Sequence, residues 1–156
     1  MTDVHSPVVR SKNMQAIRSK NTRPEITVRA LLHAAGFRYR LHVVTLPGKP
    51  DLVFPKYNAV IMVNGCFWHG HNCQFFKLPA TRTEFWKLKI EKNRANDEKA
   101  LLALKASGWR VATVWECALR KKKSDALDGV TQTLCDWLRS SDVSVELPAG
   151  ELISQH

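Results

Sequence analysis

Eight consecutive residues, Cys66-Phe67-Trp68-His69-Gly70-His71-Asn72-Cys73, hold two thiols, two imidazoles and two large aromatic rings. Thiolates and imidazoles are the ligands that Zn²⁺ takes most readily. Cys66, His71 and Cys73 stand in C-x4-H-x-C spacing, and Cys117, distant in sequence, offers a fourth ligand from another element. Four protein ligands close a zinc site, which then adds folding stability and has no open position for substrate. The competing reading is a set of ordinary buried cysteines. Cys135, between Leu134 and Trp137 in a helical pattern, reads as a core thiol. His69 is left over. It either replaces His71 as the ligand or serves as a general base near neutral pH, and spacing leaves both open. Phe67 and Trp68 exceed what a small core requires and form a candidate stacking or wedging surface.

Two carboxylates could serve a second, harder cation. Asp51 follows Pro50 at the start of a short apolar run. A carboxylate there can hold Mg²⁺, which prefers oxygen ligands and can activate water against a phosphodiester. The ordinary explanation of Pro-Asp is a turn before a strand. Glu25 lies in the first turn of a predicted helix and is a further candidate acid, although an acid there also complements the helix dipole.

These residues need a frame to position them. Thr22 and Pro24 suit the start of a helix whose apolar face is Ile26, Val28, Leu31, Leu32 and Ala35, with Gly36 past its end. Phe37, Tyr39 and Leu41 alternate with polar residues, as in a strand. Asp51 to Phe54 and the apolar run Ala59 to Val63 predict two more strands, the latter buried and central. Thr81-Arg82-Thr83-Glu84 resembles a capping box. It would open a long helix with Phe85, Leu88, Ala95, Leu101, Leu102 and Leu104 inward. Trp109 to Trp115 is a further strand, and Leu127, Val130, Leu134, Trp137 and Leu138 are the inner face of a last helix. The order predicts a mixed α/β domain over residues 23–140. Residues 1–22 form a basic arm, helical or frayed, and residues 141–156 a loose tail.

The chain has 156 residues, enough for one hydrophobic core, and a formal net charge of +10, which attracts polyanions. Aromatic side chains that can stack on bases accompany that charge, so nucleic-acid binding is favoured over a basic surface kept for solubility. No apolar run reaches the length of a membrane span, and Met1 to Pro7 lacks a signal-peptide core. A cytoplasmic protein is expected, with thiols reduced or metal-bound.

The motifs Arg10-Ser11-Lys12-Asn13-Met14, Leu46-Pro47-Gly48-Lys49-Pro50-Asp51, Gly65-Cys66-Phe67-Trp68-His69, Pro79 to Trp86 and Val114-Trp115-Glu116-Cys117-Ala118-Leu119 occur in that order. Together they resemble the very short patch repair (Vsr) endonucleases. The resemblance implies a restriction-endonuclease-like α/β core with a structural zinc. It also implies nicking of DNA beside the thymine of T:G mismatches that arise when 5-methylcytosine deaminates. Asp51 would hold the catalytic Mg²⁺, with the main-chain carbonyl at Val63 as a further ligand. His69 would be the general base, and Glu25 would assist nearby. Cys66, His71, Cys73 and Cys117 would hold Zn²⁺. Phe67, Trp68 and Trp86 would wedge into the base stack at the mismatch. Met14 and Ile17 would clamp from the minor groove, and Lys89 and Asn93 would lie near the DNA. The partners implied are duplex DNA with a T:G mismatch and mismatch-repair proteins, with the enzyme a monomer at the bacterial nucleoid. Position 63 is Val and position 64 is Asn, where some members carry Thr and His. A carbonyl ligand survives the first change. Alternatives from the residues are a zinc-stabilised DNA-binding module without catalysis, or a related nuclease with another mismatch or site preference.

Overall fold

The computed structural model describes residues 21–73, 76–119 and 124–148. In chain order the elements are α1 (Arg23–Ala34), β1 (Arg40–Leu41), β2 (Leu52–Phe54), a 3-10 turn (Pro55–Tyr57), β3 (Ala59–Asn64), α2 (Thr83–Ala106), β4 (Arg110–Trp115), α3 (Glu116–Leu119), α4 (Ser124–Arg139) and β5 (Ser144–Leu147). The strands form one mixed sheet in the order β1-β2-β3-β4-β5. β1, β2 and β3 pair antiparallel, whereas β3, β4 and β5 run parallel. Connection length explains the change of sense. β2 reverses into β3 through the 3-10 turn and Asn58, whose φ of 50° puts it in the left-handed region. Parallel neighbours need longer crossovers, which α2 supplies before β4, and α3 with α4 before β5.

Strand periodicity sorts the side chains into two layers. Leu52, Phe54, Ala59, Ile61, Ala112 and Val114 pack with Val28 and Leu32 of α1 and with Leu134, Trp137 and Leu138 of α4. Val53, Val60 and Val111 turn to the other face and meet Leu104 of α2. With helices on both faces, β3 is buried from both sides, as its continuous apolar run predicts. Cys135 is a buried core thiol. No described helix is long and apolar enough to cross a membrane.

Several expectations need correction. The stretch after residue 141 is not loose throughout, because Ser144–Leu147 adds β5 to the sheet edge and buries Leu147. Its Ser-Val-Glu-Leu alternation is only four residues long and so carries little signal. The ladder of β1 covers Arg40–Leu41 alone; Phe37 is buried and Tyr39 packs against the core without pairing, while Leu41 is exposed. The capping box does not form. Arg82 caps α2 in a left-handed conformation without a side-chain bond, and the Thr83 hydroxyl donates back to Pro79 O and Ala80 O. Along α2, Ile90 and Leu104 are buried, whereas Phe85, Leu88 and Leu102 are exposed. Ile26 of α1 is exposed as well. α2 meets the sheet through Leu101 and Leu104, so Phe85 and Leu88 at its start have no sheet layer to face and Leu102 turns to the outer side. Met14, Ile17 and the rest of the arm up to residue 20 lie outside the described residues.

Candidate functional site

A cleft of about 1100 Å³ opens beside the C-terminal end of β3, between that strand, α2 and the start of α1. Asp51, Val63, His69, Lys89, Asn93 and Asp97 are among its lining residues. Asp51 sits one residue before β2 and accepts a 2.8 Å hydrogen bond at Oδ2 from the Val63 amide. Val63 is the penultimate residue of β3, and strand geometry turns its N–H and C=O toward the same neighbour. The carbonyl therefore faces the Asp51 side too.

Glu25 is buried, at 1% exposure, in the first turn of α1. The Thr22 cap brings that turn into place by accepting the Glu25 amide. Three donors surround the carboxylate: Asn21 N at 2.9 Å, Arg29 Nη1 at 3.2 Å and His42 Nε2 at 2.6 Å. The His42 amide in turn donates to Asp51 O at 3.0 Å. The carboxylates of Glu25 and Asp51 and the imidazole of His42 each put one ligand atom within 4.8 Å of the others. Burial pushes the Asp51 carboxyl up from 3.8 to about 7, with the Glu25 negative charge adding to the rise. The Val63 amide and His69 oppose it. Arg29 balances Glu25, whereas buried Asp51 has no cationic side chain hydrogen-bonded to it among the described residues, and the oxygen donors suit a hard divalent cation.

His69 Nδ1 pairs with the Asp97 carboxylate of α2. That contact orients the ring and leaves Nε2 as the nitrogen able to take up a proton. The loop that carries His69 is locked on α2. Asn93 Nδ2 donates to Trp68 O at 2.8 Å, and Gly70 adopts φ +61° where a Cβ would meet Ile90 Cγ2 at 2.6 Å.

Behind this loop, Cys66, His71, Cys73 and Cys117 converge, each with one ligand atom within 4.8 Å of the others. Cys66 Sγ and Cys117 Sγ both lie 3.6 Å from His71 Nδ1. Sulfur and nitrogen on a tetrahedral Zn²⁺ would be about 3.6 Å apart, so the donor set fits that ion. Burial pushes the Cys66 thiol up, with the neighbouring Cys73 and Cys117 sulfurs adding to the rise. A bound cation would relieve that penalty. Trp115 stacks on His71 at 4.1 Å between centroids and 7° between planes, and its Nε1 donates to Glu146 Oε2 at 2.5 Å. The Cys66 amide donates to Glu116 Oε1 at 3.4 Å.

Beside the cleft, Phe67, Trp68 and Trp86 meet edge-on with centroids 5.0 to 5.6 Å apart. Phe76 stacks against Phe67, and Phe85 packs edge-on against Trp86. The three central rings are half-buried, so the cluster presents aromatic surface at the rim.

The sequence profile described as DNA mismatch endonuclease Vsr matches residues 2–75. The DNA mismatch endonuclease Vsr of Escherichia coli strain K12 is 44% identical over 94% of this chain and 94% of its own length. A type II nicking enzyme of Xanthomonas oryzae pv. oryzae is 56% identical over 76% of this chain and 88% of its own. Another, from Neisseria meningitidis serogroup A, is 44% identical over 78% and 87%. The chain belongs to the Vsr family. It is a DNA endonuclease, and the reading of a DNA-binding module without catalysis falls away.

Within this Vsr chain the expected site residues fall into two groups. Asp51, Val63 and His69 line one cleft, Glu25 lies buried beside Asp51, and Cys66, His71, Cys73 and Cys117 converge as a second group. Of the expected DNA contacts, Lys89 and Asn93 line the cleft, while Phe67, Trp68 and Trp86 form the rim. The alternatives left open for the two histidines separate here: His71 faces the sulfurs and His69 faces Asp97. Three residues escaped sequence reading. Asp97 is 28 positions from His69 within a polar stretch of α2, with nothing local to single it out. His42 looked like the polar phase of a strand. Trp115 looked like a strand end, although it stacks on His71.

Proposed function

We propose that this protein is a Mg²⁺-dependent nicking endonuclease with a restriction-endonuclease-like core and a structural Zn²⁺. It cuts duplex DNA 5′ to the thymine of a T:G mismatch. The observation that carries the reading is the His69–Asp97 pair facing the Asp51 carboxylate across one cleft, with an aromatic rim beside it. Asp51, Glu25 and the Val63 carbonyl would hold the Mg²⁺, which supplies charge stabilisation at the phosphate and an acidified water. His69 takes the proton of the attacking water at Nε2, while Asp97 holds the ring and stabilises the imidazolium. Water oxygen joins phosphorus as the 3′ oxygen leaves and takes a proton from solvent water, giving a 5′-phosphate and a 3′-hydroxyl. Cys66, His71, Cys73 and Cys117 would hold the Zn²⁺ away from substrate. Phe67, Trp68 and Trp86 would part the base stack, which costs least at a mismatch and so favours mismatched over paired DNA.

On the same reading the enzyme works as a monomer on the nucleoid in the bacterial cytoplasm, ahead of mismatch-repair proteins. The test is strand cleavage of a T:G duplex and its matched counterpart with Mg²⁺, for the natural chain, Asp51→Ala and His69→Ala. Nicking of the T:G duplex by the natural chain is expected, with a loss of about 10²- to 10⁴-fold or more in either variant. Equal nicking of both duplexes would instead point to a nuclease with another site preference. Full activity in His69→Ala would remove it as the base.

A further inference from the structure

The Mg²⁺ reading uses oxygen donors, yet a nitrogen stands among them. His42 Nε2 lies 2.6 Å from Glu25 Oε2, and its ligand atom is within 4.8 Å of both the Glu25 and Asp51 carboxylates. The carboxylate it meets is buried. The backbone at His42 has φ +50°, a left-handed conformation that a histidine adopts at a cost. That conformation is held by the His42 amide on the Asp51 main-chain carbonyl, so one residue is tied to both ligands: its main chain to the Asp51 backbone, its ring to the Glu25 carboxylate. Asn21, next to the start of α1, is likewise left-handed at φ +57°, and its amide also goes to Glu25. Such conformations concentrate where a site must be shaped.

We propose that His42 is the third side-chain ligand of the cation held by Asp51 and Glu25. The centre is then a mixed oxygen–nitrogen site that serves Mg²⁺ but favours Mn²⁺ more than an all-oxygen site would. This rests on the assignment of Asp51 as the cation ligand. Without a cation, Nε2–H donates to Glu25. With one, the imidazole carries its hydrogen on Nδ1 and turns the Nε2 lone pair to the metal, and Glu25 Oε2 gains the same ion in place of that hydrogen bond. The consequence is selectivity. Mg²⁺ is a hard ion that gains little from an imidazole, whereas Mn²⁺ and its borderline neighbours accept carboxylate and imidazole together. Two carboxylates alone would leave the choice between these ions to their shared preference for oxygen.

The test uses the full chain with its cysteine site loaded with Zn²⁺, so that added Mn²⁺ reports on the cleft. Pulsed electron paramagnetic resonance of the Mn²⁺ complex is expected to show ¹⁴N modulation from a bound imidazole. The modulation should persist in His69→Gln and vanish in His42→Gln and His42→Asn. By calorimetric titration, the ratio of Mn²⁺ to Mg²⁺ affinity should fall about tenfold in His42→Gln. Comparing ratios cancels the general advantage of Mn²⁺ at any such site. A natural-chain complex without ¹⁴N modulation overturns the assignment even if the variants fail to fold, as does modulation that survives His42→Gln. Asp51→Asn is expected to abolish Mn²⁺ binding in the cleft. Unchanged binding there would overturn the Asp51 site itself, an outcome distinct from losing His42 alone.

Discussion

The cysteine–histidine cluster and the carboxylate cleft both hang from the C-terminal end of β3, and they are built on opposite principles. The cluster draws Cys66, His71 and Cys73 from one eight-residue loop and adds Cys117 from α3. Cys66 and His71 are buried. The cleft gathers Asp51 from the flank of the first hairpin, Val63 from β3, His69 from the loop and Asp97 from α2, with Glu25 of α1 and His42 set beside Asp51. It is open enough for a substrate. A closed site of soft donors converts metal affinity into folding energy. An open site of hard donors keeps its binding free energy for what enters from outside. Loss of the first should therefore unfold the loop and silence the second, whereas loss of the second should leave the fold intact.

The sharpest way to break this contrast is to disable the cluster that would hold Zn²⁺. One zinc per chain is expected by metal analysis. Cys117→Ser should cost several kcal/mol, a fall on the order of 10 °C in Tm. Cys135→Ser, in the core without partner thiols, should cost about 1 kcal/mol. The reverse order in thermal melts would count against the ligand set.

Next in size is Asp97→Asn. With the carboxylate replaced, the His69 ring loses the charge that orients it and stabilises its protonated form. Single-turnover nicking should slow by about ten- to a hundredfold with Tm nearly unchanged. A large fall in Tm with normal nicking would move Asp97 to the structural side of the comparison.

Gly70→Ala joins the two regions, because the loop ties both to α2. A Cβ would meet Ile90 Cγ2 at 2.6 Å and Arg94 Cδ at 2.8 Å, at φ +61°. A cost of about 1–3 kcal/mol is expected, with His69 displaced, so nicking and Tm should fall together. Normal melts and normal nicking would show the loop to be tolerant there.

The most gradual effect is a dependence on pH. The Asp51 carboxyl is raised to about 7 in the folded chain from 3.8. The unfolded state therefore binds fewer protons between those values, and stability from this group, complete below 3.8, is lost as pH rises through about 7. Melts of Zn²⁺-loaded protein without other metal should show Tm falling from about pH 5.5 to 7.5 relative to Asp51→Asn. A saturating divalent cation should flatten that difference. An identical profile for the two proteins would place the Asp51 carboxyl in a wetter setting.

How much was readable beforehand follows from sequence distance. The buried β3 run, the start of α1 at Thr22 and Pro24, and the inner face of α4 all express periodicities that local chemistry imposes. They survive folding because they agree with it. The exposed Leu88 and Leu102 of α2 and the late strand β5 do not follow local pattern, since burial there depends on which layer lies opposite.

The sequence by itself determined the donor chemistry: soft ligands crowded at Cys66 to Cys73, hard oxygens at Asp51 and Glu25, and a basic chain with aromatics at hand for a polyanion. Side-chain type sets which metals a group can ligate, and no fold changes that. Tertiary structure decided the partnerships. It set His71 against sulfur and His69 against Asp97, and it closed His42 onto Glu25 across 17 residues. Contacts of a few ångströms between residues far apart in the chain arise only when the sheet and its helices bring them together.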